Sequence, residues 1–292
     1  MTSGARPVEA TAITRDGREL FYVELGVSGS GAPTVVFEAG MAATRSWWAL
    51  VQPQVARGAR TVAYDRAGLG RSPRDPQPRS LQRMADDLND LLDHLGSGPF
   101  VLVAHSGGGP IVRAATADRP DRIAGLMLAE VTDEACDALF DPAFRRFERR
   151  AQQITAVLAR LGLLRGLYRG LIARFPPEAQ ADLRREGFTV AAIRTRGAEL
   201  TGLVAGMNRF RERSPALPDV PVTLISGALA DSGMSPQIRA AANASHLHRA
   251  AQAPRGRHVI AERSGHMVPV TEPEVLVEEI RRLLDAARSA TA

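Results

Sequence analysis

Short apolar runs bounded by turn residues alternate with longer segments of helical periodicity along most of the chain. This alternation is typical of βα units that build a mostly parallel sheet. Most of the runs are continuously apolar, as expected for strands that helices cover on both faces. We predict seven strands, at residues 19–24, 34–38, 60–64, 100–103, 123–129, 222–226 and 257–262. The predicted fold class is therefore α/β, with a mostly parallel central sheet and helices on both faces.

Two helices carry recognisable start and stop signals. The first, residues 81–95, has Ser80 as its expected N-cap and Gly96 just past its end. The last, residues 272–287, opens with Thr271 and Glu274 at the spacing of a capping box. Both signals are structural and say nothing about chemistry.

The alternation stops between Asp137 and Pro218, where the sequence becomes helical and rich in leucine and arginine. An insertion of this size between two strands predicts a helical cap over one end of the sheet. We therefore predict a core domain of residues 1–136 and 219–292 and a cap of residues 137–218. Some apolar cap residues either line a substrate cavity or pack only against one another. They are Leu161, Leu163, Leu164, Leu167, Leu171 and Phe175.

Charge changes this picture little. A net charge of +5 and an isoelectric point near 10.4 would ordinarily suggest nucleic acid or an anionic membrane as a partner. However, every basic residue is an arginine, which indicates a bias in amino-acid usage. The densest cluster, at positions 145, 146, 149 and 150, alternates with Phe144 and Phe147 at helical spacing. We interpret it as the solvent face of an amphipathic helix, and we expect neither a nucleic-acid nor a membrane partner.

The remaining composition sets the expected compartment. Cys136 is the single cysteine, so no intramolecular disulfide can form; without a glycine-rich turn around it, it is a poor candidate nucleophile. Residues 1–16 are polar, and no run of about 18 apolar residues occurs. We expect a cytoplasmic protein.

The strongest local signal is the run Phe100-Val-Leu-Val-Ala104-His105-Ser106-Gly107-Gly108-Gly109. An apolar strand leads through small residues into a helix, and a serine at such a turn has a strained backbone and an exposed hydroxyl. No lysine follows the glycines, as a phosphate-binding loop would require. The run resembles the Gly-x-Ser-x-Gly nucleophile elbow of the α/β-hydrolase superfamily, with Ala104 in place of the first glycine.

Two further runs are similar to the same family. Tyr64-Asp-Arg-Ala-Gly68-Leu-Gly-Arg-Ser72 is similar to a family loop whose glycines permit a sharp reversal. Phe37-Glu-Ala-Gly-Met41 ends the strand that supplies an oxyanion-hole amide in this family. The resemblance thus implies that the backbone N–H groups of Met41 and Gly107 form the oxyanion hole.

A serine nucleophile needs a base, and six histidines compete for that role. Only His266 follows a predicted strand on a glycine-containing loop before a final helix, which is the family's position for the catalytic histidine. Two carboxylates compete as the acid. Asp231 lies near the commoner family position, one residue late, whereas Glu130 ends the strand after the nucleophile helix. We favour Glu130, because a carboxylate at the end of an apolar strand needs a partner.

These residues predict a serine hydrolase that cleaves an ester, thioester or lactone of a hydrophobic substrate, free or carrier-bound, through an acyl-enzyme. A serine at the elbow argues against the alkyl-enzyme chemistry of dehalogenases and epoxide hydrolases. Two alternatives remain: a lyase or other non-acyl reaction on the same fold, and a non-hydrolytic ligand-binding module. We expect no cofactor and no metal, since no motif for either occurs. The sequence carries no signal for the oligomeric state.

Overall fold

The centre of the protein is an eight-stranded sheet with strand order β1-β2-β4-β3-β5-β6-β7-β8. The computed structural model describes residues 7–27, 32–231 and 234–291. β2 pairs antiparallel with β1 and β4, and all other neighbours are parallel, which confirms the predicted fold class. The strands are β1 (Val8–Ile13), β2 (Glu19–Leu25), β3 (Thr34–Glu38), β4 (Thr61–Tyr64), β5 (Phe100–His105), β6 (Ile123–Ala129), β7 (Pro221–Gly227) and β8 (Arg255–Ala261).

The edge strand β1 is the one strand of the described sheet that the sequence analysis missed. It pairs only with β2, and Ala12 is its one fully buried residue. A mostly exposed edge strand lacks the continuous apolar run on which the other predictions depended.

Helices cover both faces of the sheet. α2, α3 and α9 pack on one face through residues such as Leu88, Ile111 and Ala250, while α1 and α11 pack on the other through Val55 and Ile280. The helices are α1 (Gln52–Val55), α2 (Leu81–Leu95), α3 (Gly108–Asp118), α4 (Pro142–Arg160), α5 (Leu164–Leu167), α6 (Arg169–Ile172), α7 (Pro177–Asp182), α8 (Val190–Glu212), α9 (Pro236–Gln252), α10 (Val268–Thr271) and α11 (Pro273–Thr291). Short 3₁₀ segments occur at Arg45–Trp48, Pro120–Arg122 and Asp137–Leu139, and a π-helical turn at Leu183–Gly187.

Both helices begin within a residue of their predicted starts, but only one of the two predicted caps forms. Ser80 caps α2 by accepting a hydrogen bond from the Arg83 amide. The capping box at Thr271 does not form, because Pro273 sets the first turn of α11. The Thr271 hydroxyl instead donates to the Met267 carbonyl within α10.

A helical cap, α4 to α8, lies between β6 and β7. Its exact boundaries as a separate unit, residues 137–218, stay a prediction. Hydrogen bonds connect the segment that enters the cap with the segment that leaves it. Ser214 donates to Glu134 (2.7 Å), and the buried Arg113 donates to both residues. No helix in the described residues is both long enough and apolar enough to cross a bilayer.

The six apolar cap residues singled out above have three different fates. Leu164 and Leu171 line a cavity between the cap and the sheet. Phe175 packs edge-on against Trp47 with 5.6 Å between the ring centres. The other three, Leu161, Leu163 and Leu167, are 64%, 54% and 68% exposed. For these three leucines neither of the two interpretations, cavity lining or mutual packing, holds. Periodicity shows that a side is apolar, but not whether anything covers it.

Candidate active site

The turn between β5 and α3 presents Ser106 above the carboxyl edge of the sheet. Ser106 has φ +55°, a left-handed conformation that is unfavourable for a residue with a Cβ and that clusters at functional sites. Three backbone hydrogen bonds hold it there, one of them donated by the Thr132 amide to the Ser106 carbonyl (3.1 Å). Its amide donates to Ala129 (3.1 Å), and its carbonyl accepts from Gly109 (3.1 Å).

Close packing explains the glycines after Ser106. A Cβ on Gly108 would lie 2.8 Å from the Ala39 carbonyl oxygen, and a Cβ on Gly109 would lie 2.4 Å from Cβ of Val131. A Cβ on Gly107 would meet the Met41 side chain at 2.6 Å. Gly108 therefore meets the expected need for a small residue two positions after the serine.

His266 faces this serine from the loop between β8 and α10. Its Nε2 lies 3.0 Å from Ser106 Oγ, within hydrogen-bond reach. Two neighbours fix its backbone: the amide donates to Asp231 Oδ2 (2.6 Å), and the carbonyl accepts from Nε2 of His105 (2.8 Å).

Glu130 occupies the other side of the imidazole. It follows β6 with φ +51°, and its Oε2 lies 3.2 Å from His266 Nδ1. The same carboxylate accepts from the Gly227 amide (2.6 Å) and from Arg239 Nη1 at 2.6 and 2.7 Å. Burial by itself raises the pKa of Glu130, but the hydrogen bonds from His266 and Arg239 outweigh it and lower the pKa to about 2.

The structure thus brings Ser106, His266 and Glu130 into one hydrogen-bonded chain. Asp231, the other candidate acid, is exposed and contacts the main chain of His266 rather than its imidazole. Both carboxylates contact His266, but Glu130 contacts its ring and Asp231 contacts its backbone amide.

His105, to which the sequence gave no role, is buried beside Ser106. Its ring centre lies 4.9 Å from that of His266. Burial, with a smaller contribution from His266, lowers the pKa of His105 to about 3. Because a carbonyl oxygen only accepts, the neutral His105 ring carries its proton on Nε2. It is a fixed donor that holds the His266 carbonyl.

The two residues predicted to supply the oxyanion amides are neighbours in the structure. Met41 and Gly107 are in van der Waals proximity through the Met41 side chain, and Gly40 faces Ser106 Cβ. Within the described ranges, neither the Met41 nor the Gly107 amide has a hydrogen-bond acceptor. Both N–H groups are free to bind an anionic oxygen.

A second feature missed by sequence analysis positions the Met41 amide. The buried Arg66 guanidinium donates to the carbonyls of Ala39 (2.6 Å) and Gly40 (2.7 Å). In a planar trans peptide the C=O and the following N–H point in opposite directions, so drawing the Gly40 carbonyl toward Arg66 directs the Met41 N–H away from it. Glu199 of cap helix α8 binds Arg66 twice, at 2.8 and 3.0 Å.

A cavity of about 640 Å³ connects these groups with the cap. Its cap side is mostly apolar and includes Tyr168, Phe188, Leu203 and Met207. Three charged residues also face it: Arg145, Glu148 and Arg196. The volume fits a substrate of small-molecule size.

Comparison with known proteins agrees with this fold. The family model of the alpha/beta hydrolase fold matches residues 33–273. An AB hydrolase superfamily protein of Gibberella zeae is 27% identical over 294 residues, covering 88% of this chain and 87% of the relative. The solved enol-lactonase of Burkholderia xenovorans superposes with a TM-score of 0.69 at 19% identity, covering 94% of this chain and 100% of that one. The solved epoxide hydrolase CorEH superposes with a TM-score of 0.70 at 19% identity, covering 96% and 99%. The family match spans most of the chain, which therefore belongs to the α/β-hydrolase family.

Proposed function

We propose that the protein is a serine hydrolase that cleaves a carboxylic ester, thioester or lactone of a hydrophobic substrate through an acyl-enzyme. The observation that carries this proposal is the continuous hydrogen-bonded chain from Ser106 Oγ through His266 to Glu130. A hydroxyl on a strained turn, a base within 3.0 Å and an acid on the far side of that base are the requirements of nucleophilic catalysis.

In the first half-reaction, Ser106 Oγ attacks the substrate carbonyl while His266 Nε2 takes its proton. The carbonyl oxygen becomes anionic and binds the Met41 and Gly107 amides, each typically worth about 3 kcal/mol of barrier lowering. Glu130 stabilises the imidazolium without taking its proton. The proton then passes to the leaving alcohol or thiol as the tetrahedral intermediate collapses.

In the second half-reaction, water enters the position of the leaving group. His266 removes a proton from this water as the water oxygen adds to the acyl carbonyl. The second tetrahedral intermediate then collapses: its bond to Ser106 Oγ breaks, His266 returns the proton to Ser106 Oγ, and the carboxylic acid leaves. The apolar cap side of the cavity favours a hydrophobic acyl or alcohol portion.

The similar structures bear names for more than one reaction, an enol-lactonase and an epoxide hydrolase among them. A serine nucleophile favours the acyl route, because an alkyl-enzyme formed on a serine would be an ether that water does not readily cleave. A lactone, the kind of substrate that the name enol-lactonase implies, belongs to the class of substrates proposed here.

The proposal is tested by labelling with a fluorophosphonate probe and by turnover of p-nitrophenyl esters and acyl thioesters of graded chain length. We expect labelling and turnover in the parent and neither in Ser106→Ala. Ser226→Ala is the matched control, since Ser226 is also a serine bound to a histidine, with its Oγ 2.7 Å from His246 Nδ1, but is fully buried away from the cavity. It should keep both labelling and turnover.

Two results would overturn the proposal. Absence of labelling in the folded parent would favour a reaction without an acyl intermediate. Tight binding of acyl esters without any turnover across the series would favour a ligand-binding module.

A further inference from the structure

The outer side of the cap carries an unusual set of exposed apolar side chains. We call it the α4–α6 surface and define it by residues of α4, α5 and the turns beside them. Their exposed fractions range from 38% to 68%. These residues are Phe147, Ile154, Val157, Leu161, Leu163, Leu167 and Tyr168.

The spacing of the α4 members of this set places them on one side of that helix. Phe147, Ile154 and Leu161 are seven positions apart, which is close to two helical turns, so they follow one another along α4. Of the 19 residues of α4, only Ala159 is fully buried. One apolar row of this helix is therefore open to solvent, beside the side on which Ala156, Leu158 and Ala159 pack with Ile193 of α8. The sequence predicted a simpler amphipathic helix.

The surface ends in a projecting segment. Every residue from 161 to 170 is exposed except Leu164, which is the inward anchor at 1% exposure. A segment exposed at nearly every position suits a partner that deforms around its side chains, as a lipid headgroup layer does. A protein partner would have to supply a matching groove.

Charge on the same segment is one-sided. Residues 142–174 contain eight arginines and one acidic residue, Glu148, for a formal charge of +7. The whole chain carries +5, so the rest of the molecule is net negative. Arg160, Arg165 and Arg169 are exposed among the leucines of the tip.

Exposed apolar side chains flanked by arginines are the features of a segment that lies in a bilayer interface. The apolar side chains enter the boundary between headgroups and acyl chains, and the arginines meet anionic headgroups. Tyrosine, with an apolar ring and a polar tip, suits the same depth. Apolar patches exposed to this extent mark interaction sites.

We propose that the α4–α6 surface binds bilayers rich in anionic lipid, with Leu161, Leu163 and Leu167 inserted and the arginines on the headgroups. This departs from the expectation, drawn from the sequence, of no membrane partner. Binding does not depend on the proposed hydrolysis. Because Phe147 and Tyr168 also line the cavity that holds Ser106, the surface places the cavity beside the bilayer, where hydrophobic esters dissolve.

The test is co-sedimentation of the full chain with large vesicles, using Ser106→Ala so that lipid is not consumed. One vesicle is phosphatidylcholine and the other an equimolar mixture of phosphatidylcholine and phosphatidylglycerol. We expect binding to the mixed vesicle only, and its loss at about 0.5 M NaCl, where charges are screened beyond roughly 4 Å.

Two pairs of variants locate the binding surface. Leu161→Ser with Leu167→Ser should weaken binding about tenfold or more, whereas Val27→Ser with Leu247→Ser, at 70% and 57% exposure elsewhere, should not. Replacing Arg160, Arg165 and Arg169 by glutamine should weaken binding at low salt by about 100-fold. The same replacement at the exposed Arg57, Arg74 and Arg255 removes equal charge and should have a much smaller effect.

Circular dichroism and thermal unfolding establish that each variant is folded. The proposal is overturned if the folded parent does not bind the mixed vesicles, or if the leucine and arginine variants bind them as well as the parent does. A parent that ignores vesicles but forms a dimer broken by Leu161→Ser with Leu167→Ser would assign the surface to a second copy of the chain. Equal binding to both vesicles would remove the role of the arginines and overturn it as well.

Discussion

Oε2 of Glu130 lies 3.2 Å from Nδ1 of His266, although 136 positions separate the two residues in the chain. The contact requires Glu130 to turn away from the line of β6, and its φ of +51° makes that turn. Its carboxylate is further held by Arg239 and by the Gly227 amide. Three groups thus hold the Glu130 carboxylate: the His266 ring, the Arg239 guanidinium and the Gly227 amide.

The first prediction concerns the acid. Glu130→Gln should lower kcat/KM by about 10³- to 10⁴-fold, because the imidazolium loses its stabilising charge. Asp231→Asn should change kcat/KM by less than about tenfold, because an asparagine oxygen can still accept from the His266 amide. Steady-state kinetics on one p-nitrophenyl ester checks both values.

Loss of folding must be separated from loss of catalysis in this experiment. Glu130→Gln leaves the buried Arg239 without its carboxylate, which destabilises the fold. The double variant Glu130→Gln with Arg239→Met removes both charges and should recover much of the thermal stability while staying inactive. Recovery of activity in that double variant, or equal activity of Glu130→Gln and the parent, would contradict the assignment.

The second prediction concerns Glu199, a positioning residue that acts through Arg66. Glu199→Gln weakens the hold on the Gly40 carbonyl and should lower kcat about tenfold or more with a smaller change in KM, because the Met41 amide acts on the transition state. Glu186→Gln is the matched control: it also removes a cap carboxylate from a buried arginine, Arg45 at 2.7 Å, but no hydrogen bond or ion pair in the described residues links Arg45 or Glu186 to residues 39–42. Equal loss of kcat in both variants would show a general effect of cap anchoring.

The third prediction concerns the elbow glycines. Gly108→Ala should destabilise the protein by about 2 kcal/mol and reduce turnover, because overpacking against backbone cannot be relieved by a rotamer change. The added Cβ would lie 2.8 Å from the Ala39 carbonyl oxygen. Gly58→Ala, where no atom lies within 4 Å of the added Cβ, should stay within about 0.5 kcal/mol of the parent. Urea unfolding measures both, and a Gly108→Ala protein as stable as Gly58→Ala would contradict the packing.

The fourth prediction concerns stability in acid. Burial by itself raises the pKa of Glu134, but hydrogen bonding and charge attraction from Arg113 outweigh it and lower the pKa from 4.5 to about 2. A carboxylate with a lower pKa in the folded than in the unfolded protein stabilises the fold above the unfolded value. This stabilisation is complete above about pH 4.5 and is lost as the pH falls toward about 2.

The measurement compares the free energy of unfolding of the parent and Glu134→Gln across this range. The parent should be about 2 kcal/mol more stable at pH 7, and this difference should shrink as the pH falls from 4.5 to 2. A difference that does not change with pH would show that the charge of Glu134 contributes nothing.

Much of the fold could be predicted from the sequence, for a physical reason. A strand buried on both faces is apolar at most positions, so inner parallel strands such as β3, β5 and β6 are visible as apolar runs. The tight turn from β5 to α3 admits only small residues beside Ser106, so the elbow is visible as Ala104 and the glycines. These requirements are local, so they restrict the residue types at adjacent positions and can be detected in the sequence.

Only the tertiary structure decided the rest, because the deciding contacts join distant positions. Glu130 and Asp231 both contact His266, and no spacing shows which one faces the ring and which the backbone. Arg66 donates a hydrogen bond to the Gly40 carbonyl and so orients that peptide. A pattern of side chains along the sequence does not show how a peptide group is oriented. The leucines at residues 161–167 would look the same in the sequence whether they were buried or exposed. Whether they are covered depends on what the rest of the chain packs against them.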